Sequence, residues 1–588
     1  MKLTQYENQI CNFLLEVNNM MGLQSTLRIA GGFVRDRLLG IPSDDIDIAI
    51  SNMTGKQFVD NITKYAQEWE RINGKPHPAL GKSYVVAANP EKSKQLETTA
   101  VEIYGLKIDF VNLREEKYDP TSRVPIMTMA TGPDAAKKDA ERRDLTINAL
   151  FYNLNTREVE DYVGGLADLK TMTLRTPLDP VQTFKDDPLR LLRVLRFYSK
   201  YPTSKIDHKI IDAMRMPEVQ NMYADLSAAF DPKKKNYKVS PERAWPELKK
   251  MMEGKRPAEA MRILFETGLY RAVFNTPKFR ELMDIKMDQA TRHHAHNLLD
   301  HTLGVMEEMN KIMNQEKVDP ETRMLMNFAT LFHDMGKAHP DIRKEHPKRP
   351  GEYQYLGHED KSVEVAEEVL KTIGMGDKAR HLIEQVVGTH MMPHSWEPAP
   401  EAATGLPSPY DPKSVQKYYS RLHDFFLKLK PVEKGPKDKE DKSIPSRPYS
   451  RGEIAKLVMY HSMADSLATN INNPDLQDIE QKRRHLDLIQ KYDPHWHAAS
   501  RTFLNGTDLM RMFPNLDPAY KVNGETFISE LKEKLHRKQA TGRITIPAEA
   551  VKFVEDLRRY IEEKYNKNSK TANWLRAICR FASFGRQS

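Results

Sequence analysis

Asp45 and Asp47 are the first residues of the sequence whose types and spacing could do chemistry, because they stand in the alternating run DIDIAI. On a β-strand, side chains two residues apart point to the same face, roughly 6 to 7 Å from each other. Two carboxylates at that separation can jointly hold a pair of Mg²⁺ ions, which activate a hydroxyl nucleophile and stabilise leaving pyrophosphate. For an isolated Asp-x-Asp, the commoner explanation is a solvated strand face.

Residues on either side of this pair favour a nucleotide site. Asp109 stands among apolar neighbours in KIDFVNL, where a buried carboxylate without a cation would be costly, so it is a candidate third ligand. Gly31 and Gly32 follow a predicted strand and open a predicted helix. Their bare backbone can approach a triphosphate and Arg35 can pair with it, although a Gly-Gly pair alone is weak support.

Two arginine-rich motifs come next: RRDLTINAL, which begins at Arg142, and DDPLRLLRVLRF, which begins at Asp186. In the second motif, Asp187 and Arg190 are three residues apart on a predicted helix and so share a face. A carboxylate and a guanidinium side by side could present an acceptor and donors to the edge of a nucleobase. The alternative is an ordinary ion pair on a helix surface.

A histidine-rich segment indicates a second site. Eleven of the 19 histidines lie between His293 and His394. Imidazoles and carboxylates occur on successive predicted helices in the order His301, His333, Asp334, His358, His390 and Asp465. Inward-facing groups of this kind can surround one or two metal ions in a helix bundle. The alternative is a degenerate cluster kept only for structure, and the long insertion before Asp465 weakens the assignment of that residue.

Length and composition indicate a folded protein of several domains. The 588 residues suggest about four domains at roughly 150 residues each. No run approaches the roughly 18 apolar residues of a membrane span, so we expect no membrane segment and a cytoplasmic location. With only Cys11 and Cys579 present, any metal must be held by His, Asp or Glu. The net charge of +8 favours a polyanionic partner without proving one.

Two kinds of segment must position these groups. Up to about residue 170, short β-branched stretches alternate with loops and helical segments, which predicts an α+β domain. After Pro188, apolar residues recur every three or four positions, which predicts helices to the C-terminus. Residues 397–412 are rich in proline and residues 428–450 in Lys, Pro, Asp and Ser, so we expect a flexible insertion near 397–450.

These motifs in this order resemble the tRNA nucleotidyltransferases, the CCA-adding enzymes of the polymerase-β-like superfamily. The stretches ANPEKSKQLETTAVEIYGLKIDFVNLREEKYDPTSRVP and ERRDLTINALFYNLNTREVEDYVGGLADLKTMTLRTPLDPVQTFKDDPLRLLRVLRF are especially similar to the yeast and plant branch. The resemblance covers about residues 27–275. The histidine-rich part resembles the HD phosphohydrolase domain, which some bacterial members carry and the yeast-like branch ordinarily lacks.

The resemblance implies an α+β protein in four parts. These are a polymerase-β-like head with a mixed sheet (1–172), an all-α neck and body that binds tRNA (173–285), an all-α HD domain with the flexible insertion near 397–450 (286–485), and a helical C-terminal tail (486–588). RNA could also contact lysines 233–235 and the basic and aromatic residues Lys564, Lys567, Lys570, Trp574, Arg576, Arg580, Phe581, Phe584 and Arg586. Solvated surface is an equal alternative for both segments.

Carried over residue by residue, the resemblance assigns roles within the head. Asp45 and Asp47 would be the catalytic Mg²⁺ ligands, and Asp109 a further catalytic carboxylate. The nucleotide would be bound by Gly31, Gly32, Arg35, Arg142, Arg143, Asp144, Asn148, Asp187, Arg190, Arg193 and Arg196, of which Asp187 and Arg190 would read the base. Asp186 departs from many bacterial relatives, which have Glu, but agrees with the yeast-like branch.

In the HD domain, the resemblance makes Asp334 a bridge between two metal ions. One site would be completed by His301, His333 and Asp465, and the second by His358 and His390. The metal would be a divalent transition metal such as Mn²⁺, Ni²⁺ or Fe²⁺, and the substrate a 2′,3′-cyclic phosphate or a phosphomonoester.

The implied main activity is Mg²⁺-dependent addition of CMP, CMP and AMP from CTP and ATP to the 3′ end of tRNA, without a nucleic-acid template and with release of pyrophosphate. Two alternatives stay open. One is a poly(A) polymerase or A-adding enzyme with the same carboxylates, against which the NPEKSKQLET block argues. The other is mainly phosphohydrolysis by the HD domain, with a head that only holds tRNA.

Overall fold

The computed structural model describes residues 1–43, 45–80, 87–88, 99–117, 126–223, 239–291, 296–396, 421, 424–426, 428–435, 444–469, 478–487, 489, 506–512, 521–522, 525–526, 528–529, 531–532, 535 and 547–564. The NPEKSKQLET block, lysines 233–235, most of the expected insertion and the tail after residue 564 lie outside the described residues. The chain divides into two compact units: Met1–Arg280 with Thr372–Gly374, and Glu281–Lys371 with Met375–Ser588.

A seven-stranded mixed sheet forms the centre of the first unit. The strands of this unit are β1 Leu27–Ala30, β2 Ile46–Ile50, β3 Ala87–Ala88, β4 Thr99–Ile103, β5 Leu106–Asn112, β6 Arg114–Lys117, β7 Ile126–Met129, β8 Phe151–Asn153, β9 Glu158–Glu160, β10 Thr173–Leu174 and β11 Lys205–Ile206. The main sheet has the order β3-β4-β5-β2-β1-β8-β9, while β6 pairs with β7 and β10 with β11. In the main sheet β2 and β5 are parallel, and the other neighbouring strands are antiparallel.

The alternation predicted for the DIDIAI run is confirmed in β2. Ile46, Ile48 and Ile50 are buried at 3%, 0% and 0% exposure, so the apolar side chains of this strand anchor it in the core. Asp47 therefore stands on the opposite face of the strand. The sheet fixes the position of this carboxylate through the packing of its isoleucine neighbours.

The first unit also contains helices, and several of them follow the sheet in the sequence. They are α1 Gln5–Met20, α2 Gly32–Leu38, α3 Gly55–Asn73, α4 Ala135–Glu141, α5 Gly165–Thr171, α6 Pro180–Asp186, α7 Leu189–Lys200, α8 His208–Arg215, α9 Pro217–Tyr223, α10 Pro241–Met252, α11 Pro257–Glu266, α12 Tyr270–Val273 and α13 Pro277–Arg280. Helices α2 and α3 pack against strands of the sheet. A capping box begins α1, because Thr4 accepts from the backbone of Glu7 and the Glu7 side chain accepts from the backbone of Thr4.

One prediction about the second arginine-rich motif is wrong. Asp187 does not share a helix face with Arg190, because α6 ends at Asp186 and α7 begins at Leu189. Asp187 is extended, with φ −142° and ψ 101°. Pro188 follows it, and a proline disfavours helical backbone in the residue before it. Asp187 and Arg190 are therefore not on one helix, because α7 begins between them.

The second unit is helical apart from two short strand pairs. Its elements are α14 Leu298–Gln315, α15 Pro320–Phe332, β12 Lys344–Glu345, β13 Tyr353–Gln354, α16 His358–Thr372, α17 Asp377–Thr389, α18 Arg451–Thr469, α19 Gly506–Met512, β14 Lys521–Val522, β15 Glu525–Thr526 and α20 Pro547–Lys564. Residues 478–487 are also helical. α14 packs against α15 and α18, and α17 packs against the same two helices. Among the described residues of both units, no helix has the length and apolar character that crossing a bilayer requires.

Ile48 tests the dependence of the first unit on its central strand. We expect Ile48→Ala to lower the free energy of unfolding by about 2 to 5 kcal/mol, because it leaves a cavity in the core, and Ile48→Val to cost about 0.5 to 1.5 kcal/mol. Urea unfolding of the full chain measures both. Equal stability of the two variants would contradict the packing described for β2.

Candidate functional site

Three carboxylates meet beside the parallel strand pair of the head. Asp47 in β2 is the register partner of Asp109 in β5, and Asp45 directly precedes β2. One oxygen of each lies within 4.8 Å of the oxygens of the other two. Lys107 stands two residues before Asp109, and its Nζ lies 2.8 Å from Asp109 Oδ1. The structure thus brings together the three aspartates that the sequence selected.

Repulsion among these carboxylates is visible in the pKa of Asp47. Burial raises this pKa, and the charges of Asp45 and Asp109 raise it further, to about 6, against the opposing charges of Arg143 and Arg114. A cation among the three oxygens would relieve that repulsion. A set of carboxylate oxygens matches the ligands that hard divalent cations prefer, so the cluster fits such a metal.

The glycine turn lies against the RRDLTINAL motif. Gly31 has φ +70°, and a Cβ there would lie 2.6 Å from Nη1 of Arg143, so only glycine fits. Its N–H donates to the carbonyl of Leu150 at 3.0 Å. Gly32 begins α2. The turn therefore brings bare backbone next to the Arg143 guanidinium.

Arg35, on α2, is buried instead of reaching into solvent. Its Nε donates to Asp36 at 2.8 Å, and its Nη1 donates to the side-chain oxygen of Asn148. Its guanidinium carbon also lies 5.1 Å from the centre of the Phe197 ring. Arg35 is thus locked beside the turn, with part of its charge compensated by Asp36.

A single buried carboxylate, Asp139, holds both arginines of the RRDLTINAL motif. Arg142 Nη2 lies 2.6 Å from one oxygen of Asp139, and Arg143 Nη2 lies 2.8 Å from the other. The backbone N–H of Arg114 donates to the first oxygen at 3.0 Å. Burial opposes ionisation of Asp139, but the two arginines bring its pKa below the usual value. Sequence reasoning missed this residue, although its spacing of three and four residues from the arginines is a helical signal.

Asp144 connects the same motif to α7 and α10. It accepts from Asn148 Nδ2 at 3.0 Å and from Arg193 Nε at 2.7 Å. Burial alone would raise its pKa, yet Arg193 and Asn148 hold the pKa well below its usual range. Glu247 of α10, to which the sequence gave no role, lies 3.4 Å from Arg193 Nη1 and 3.0 Å from Arg196 Nε. These ion pairs join the RRDLTINAL motif, α7 and α10.

Arg190 and Asp187 contact different neighbours. Arg190 Nη2 donates to the carbonyl of Arg142 at 2.6 Å, so it supports the first arginine-rich motif from behind. Asp187 Oδ2 accepts from Arg243 Nη2 at 2.6 Å. The Arg243 side chain is 44% exposed, which leaves this ion pair open to solvent.

In the second unit, both oxygens of Asp334 face histidines. Oδ2 lies 3.4 Å from His301 Nε2 and 3.3 Å from His333 Nε2. Oδ1 lies 3.1 Å from His358 Nε2 and 3.6 Å from His390 Nε2. The carboxylate thus separates two groups of potential ligands. The first group comprises His301, His333 and Asp465, the second comprises Asp334, His358 and His390, and within each the ligand atoms lie within 4.8 Å of one another.

Backbone carbonyls fix the orientation of three of these imidazoles. The Nδ1 atoms of His333, His358 and His390 lie 2.7, 2.8 and 2.6 Å from the carbonyls of the residues three positions earlier. A carbonyl can only accept, so each Nδ1 carries a proton, and in the neutral ring each Nε2 then keeps its lone pair. This is the arrangement of metal-binding histidines, whose second nitrogen donates to a carbonyl or carboxylate.

Several buried polar atoms of this cluster lack a conventional partner, as a metal site would require. His333 Nε2, Asp334 Oδ1 and Asp465 Oδ1 make no hydrogen bond within the described part of the chain. Burial opposes the ionised form of Asp334, but Lys337 and His333 bring its pKa well below the usual value. A carboxylate surrounded by imidazole nitrogens is a ligand set that fits divalent metal ions.

Three further residues of this cluster were not selected from the sequence. Lys337, three residues after Asp334 in HDMGK, places Nζ 2.7 Å from Asp334 Oδ2. His394 Nε2 lies 3.0 Å from Asp465 Oδ2. His461 is buried, with its ring edge-on to that of His333, 4.7 Å between centres. The spacing of Lys337 was a usable signal, whereas His394 is brought in by tertiary structure.

Three family models match the chain. Residues 27–175 match the poly A polymerase head domain, residues 237–283 match a probable RNA and SrmB-binding site of polymerase A, and residues 298–467 match the HD domain. The first match contains the three head aspartates, and the third contains all six candidate ligands of the second unit.

Curated relatives resemble mainly the first half of the chain. The mitochondrial CCA tRNA nucleotidyltransferase of Saccharomyces cerevisiae is 39% identical over 51% of this chain and 54% of its own length. A tRNA nucleotidyltransferase of Schizosaccharomyces pombe is 37% identical over 49% of this chain and 57% of its own. The chain thus spans little more than half the length of these relatives. The multifunctional CCA protein of Mannheimia succiniciproducens is 25% identical over 79% of this chain and 96% of its own length.

Solved structures share the fold over nearly the whole chain. The CCA-adding enzyme of Bacillus stearothermophilus in complex with CTP has a TM-score of 0.53 at 15% identity, covering 96% of this chain and 100% of that one. The Thermotoga maritima CCA-adding enzyme complexed with tRNA has a TM-score of 0.50 at 17% identity, covering 94% and 96%.

The raised pKa of Asp47 predicts that its charge destabilises the metal-free protein. A carboxyl whose pKa is higher in the folded than in the unfolded state weakens folding when it is ionised, and the penalty disappears as pH falls. Asp47→Asn should therefore raise the free energy of unfolding by on the order of 2 kcal/mol at pH 7 with chelator present, and by progressively less toward pH 4. Denaturant titrations measure this.

The exposed Asp60, which forms an ion pair with Lys56 on α3, provides the matched control. Asp60→Asn should change stability by no more than about 0.5 kcal/mol at any of these pH values. A neutral or destabilising Asp47→Asn would contradict the repulsion inferred for the carboxylate cluster.

The domain matches, the fungal relatives and the shared fold agree with the geometry of the two clusters. Residues 27–175 match the poly A polymerase head domain and residues 298–467 match the HD domain, and the chain shares its fold with solved CCA-adding enzymes.

Proposed function

We propose that this protein is a CCA tRNA nucleotidyltransferase, which adds CMP, CMP and AMP to the 3′ end of tRNA from CTP and ATP and releases pyrophosphate. The observation that carries the proposal is the meeting of Asp45, Asp47 and Asp109 beside the glycine turn. The similarity to fungal tRNA nucleotidyltransferases over about half of the chain supports the same activity.

In this proposal Asp45 and Asp47 hold Mg²⁺, with Asp109 as a further carboxylate. When bound, the metal would supply charge neutralisation for the attacking hydroxyl and the leaving pyrophosphate. Gly31 and Gly32 let the triphosphate approach the backbone, and Arg143 lies beside the turn to meet its charge. Positioning of the tRNA hydroxyl against the bound nucleotide then accounts for most of the rate, as in other phosphoryl transfers.

The remaining head residues form the nucleotide pocket. Asp139 orients Arg142 and Arg143, while Asp144 and Asn148 join them to α7. Asp187 and Arg190 are the base-reading candidates, and in the proposed pocket Asp187 must exchange its contact with Arg243 for the base. Arg35, Arg193 and Arg196 then serve to hold the pocket walls.

We further propose that the second unit is a metal-dependent phosphohydrolase acting on a 2′,3′-cyclic phosphate or a phosphomonoester. The orphaned polar atoms of His333, Asp334 and Asp465 support this assignment. The imidazole-rich ligands suit Mn²⁺, Ni²⁺ or Fe²⁺ better than Mg²⁺. Asp334 would bridge the two metals, with one oxygen toward each histidine group.

The remaining expectations stay proposals. The domain limits are 1–172, 173–285, 286–485 and 486–588, and tRNA is the macromolecular partner of the neck and body. The cytoplasm is the proposed location, although the Saccharomyces cerevisiae relative is named as mitochondrial. Cell fractionation tests the location.

A tRNA transcript that lacks its terminal trinucleotide tests the head. With CTP alone the protein should extend it by two residues, and with CTP and ATP by three. Asp45→Asn and Asp47→Asn should each reduce addition at least about 100-fold, because each removes a proposed metal ligand. Primer extension on sequencing gels measures the products.

The controls are Asp60→Asn and His333→Ala, which should both keep nucleotide addition. Extension with ATP alone would instead identify an A-adding enzyme. Full addition by Asp47→Asn would refute the assignment of the carboxylates. No extension by the unaltered chain would instead favour phosphohydrolysis as the main activity, with a head that only holds tRNA.

Metal content tests the HD domain. His333→Ala should lose transition metal, because it removes a ligand from the first group, and should lose phosphohydrolase activity on a 2′,3′-cyclic phosphate end. His381→Ala, a histidine on α17 with a 42% exposed side chain, is the matched control and should retain both. Elemental analysis of purified protein measures the metal. An unchanged metal content in His333→Ala would contradict the assignment of the HD ligands.

A further inference from the structure

His394 lies next to the proposed HD centre without belonging to either ligand group. It is on a short 3-10 turn after α17, and its side chain is 24% exposed. Its Nε2 lies 3.0 Å from Asp465 Oδ2 and 3.2 Å from Ser462 Oγ. The other oxygen of Asp465 lies 3.0 Å from His301 Nε2. Asp465 is thus held between a proposed ligand and a histidine outside the ligand set.

Behind His394 stands a buried lysine, Lys482, whose side chain is 1% exposed. Its Nζ lies 3.1 Å from His394 Nδ1 and 2.6 Å from Asp478 Oδ2, and it also donates to Ser466 Oγ. These three contacts use all three N–H groups of the ammonium. Lys482 comes from the helical residues 478–487, so a further element reaches the centre behind α18.

The lysine fixes the proton position on His394. An ammonium only donates, so His394 Nδ1 must accept, and the proton of the neutral ring is on Nε2. Nε2 then donates to Asp465. This tautomer is opposite to that of His333, whose Nδ1 donates to a carbonyl and whose Nε2 is open. His394 is therefore arranged to donate to a carboxylate and not to bind a metal.

We propose that His394 and Lys482 are positioning residues that hold Asp465 with Oδ1 directed at the metal of the first ligand group. The inference rests on the proposed HD function. Asp465 must otherwise keep its orientation on a helix that follows the long insertion. Hydrogen-bond partners behind metal ligands typically change metal affinity 10- to 100-fold when they are removed.

Two substitutions at position 394 separate positioning from simple packing. Glutamine can donate from its amide nitrogen to Asp465 and accept from Lys482 at its amide oxygen, whereas leucine fills similar volume and does neither. We expect His394→Leu to weaken Mn²⁺ binding by about 10- to 100-fold and His394→Gln by about threefold or less. Lys482→Met should weaken Mn²⁺ binding as much as His394→Leu does. Without the lysine, His394 Nδ1 is no longer held as an acceptor, so the proton is no longer fixed on Nε2.

The measurement is calorimetric titration of the chelator-treated full chain with Mn²⁺, together with its melting temperature and its nucleotide addition. The melting temperature reports whether each variant is folded, and nucleotide addition reports whether the head is unaffected. The control is Ser395→Ala, which neighbours His394 and is exposed where it bonds the carbonyl of Met392. It should bind Mn²⁺ as the unaltered chain does.

The outcomes distinguish this inference from the HD assignment. If the unaltered chain and His333→Ala bind Mn²⁺ equally, the proposed HD centre itself is wrong. If His333→Ala loses binding while His394→Leu and Lys482→Met keep it, the positioning role is overturned. Equal losses in His394→Leu and His394→Gln also overturn it, because a role in donating and accepting predicts that glutamine restores binding.

Discussion

Buried carboxylates that need compensating charge are the constraint on which both units of this protein depend. In the head, parallel pairing of β2 with β5 places Asp47 beside Asp109. Burial, together with repulsion from Asp45 and Asp109, raises the pKa of Asp47 to about 6. The buried faces of these strands, with Ile48 and Phe110 fully inaccessible, hold the carboxylates together against that repulsion. Packing of the apolar core therefore holds the carboxylates in a repulsive arrangement, and a divalent cation would relieve that repulsion.

The second unit also contains buried carboxylates, but the groups that compensate their charge are different. Its carboxylates, Asp334 and Asp465, are surrounded by imidazoles and by Lys337, and their pKa values lie well below the usual range despite burial. Backbone carbonyls three residues earlier orient His333, His358 and His390. For His333 and His390 these carbonyls lie in the last turn of α15 and α17, where a helix leaves carbonyls available as acceptors.

In the head, buried ion pairs connect the arginine-rich motifs to neighbouring helices. Asp139 holds two arginines, and Asp144 and Glu247 share Arg193. Removing one member would leave an uncompensated buried charge, which costs more than the intact pair contributes. Such a network favours one arrangement of the arginines that line the proposed nucleotide pocket. In the second unit, His394 and Lys482 are proposed to fix the orientation of Asp465 in a similar way.

The sequence by itself determined the local features: alternation in β2, the glycine turn, the arginine-rich motifs and the order of the histidines. These follow from periodicity and residue chemistry, which act over a few positions. Only the tertiary structure decided that Asp187 meets Arg243, that Glu247 of α10 meets Arg193, and that Lys482 reaches His394. Such contacts join residues from separate elements, as with the 88 positions between Lys482 and His394, and their geometry comes from packing of the whole core, which no short window of sequence contains.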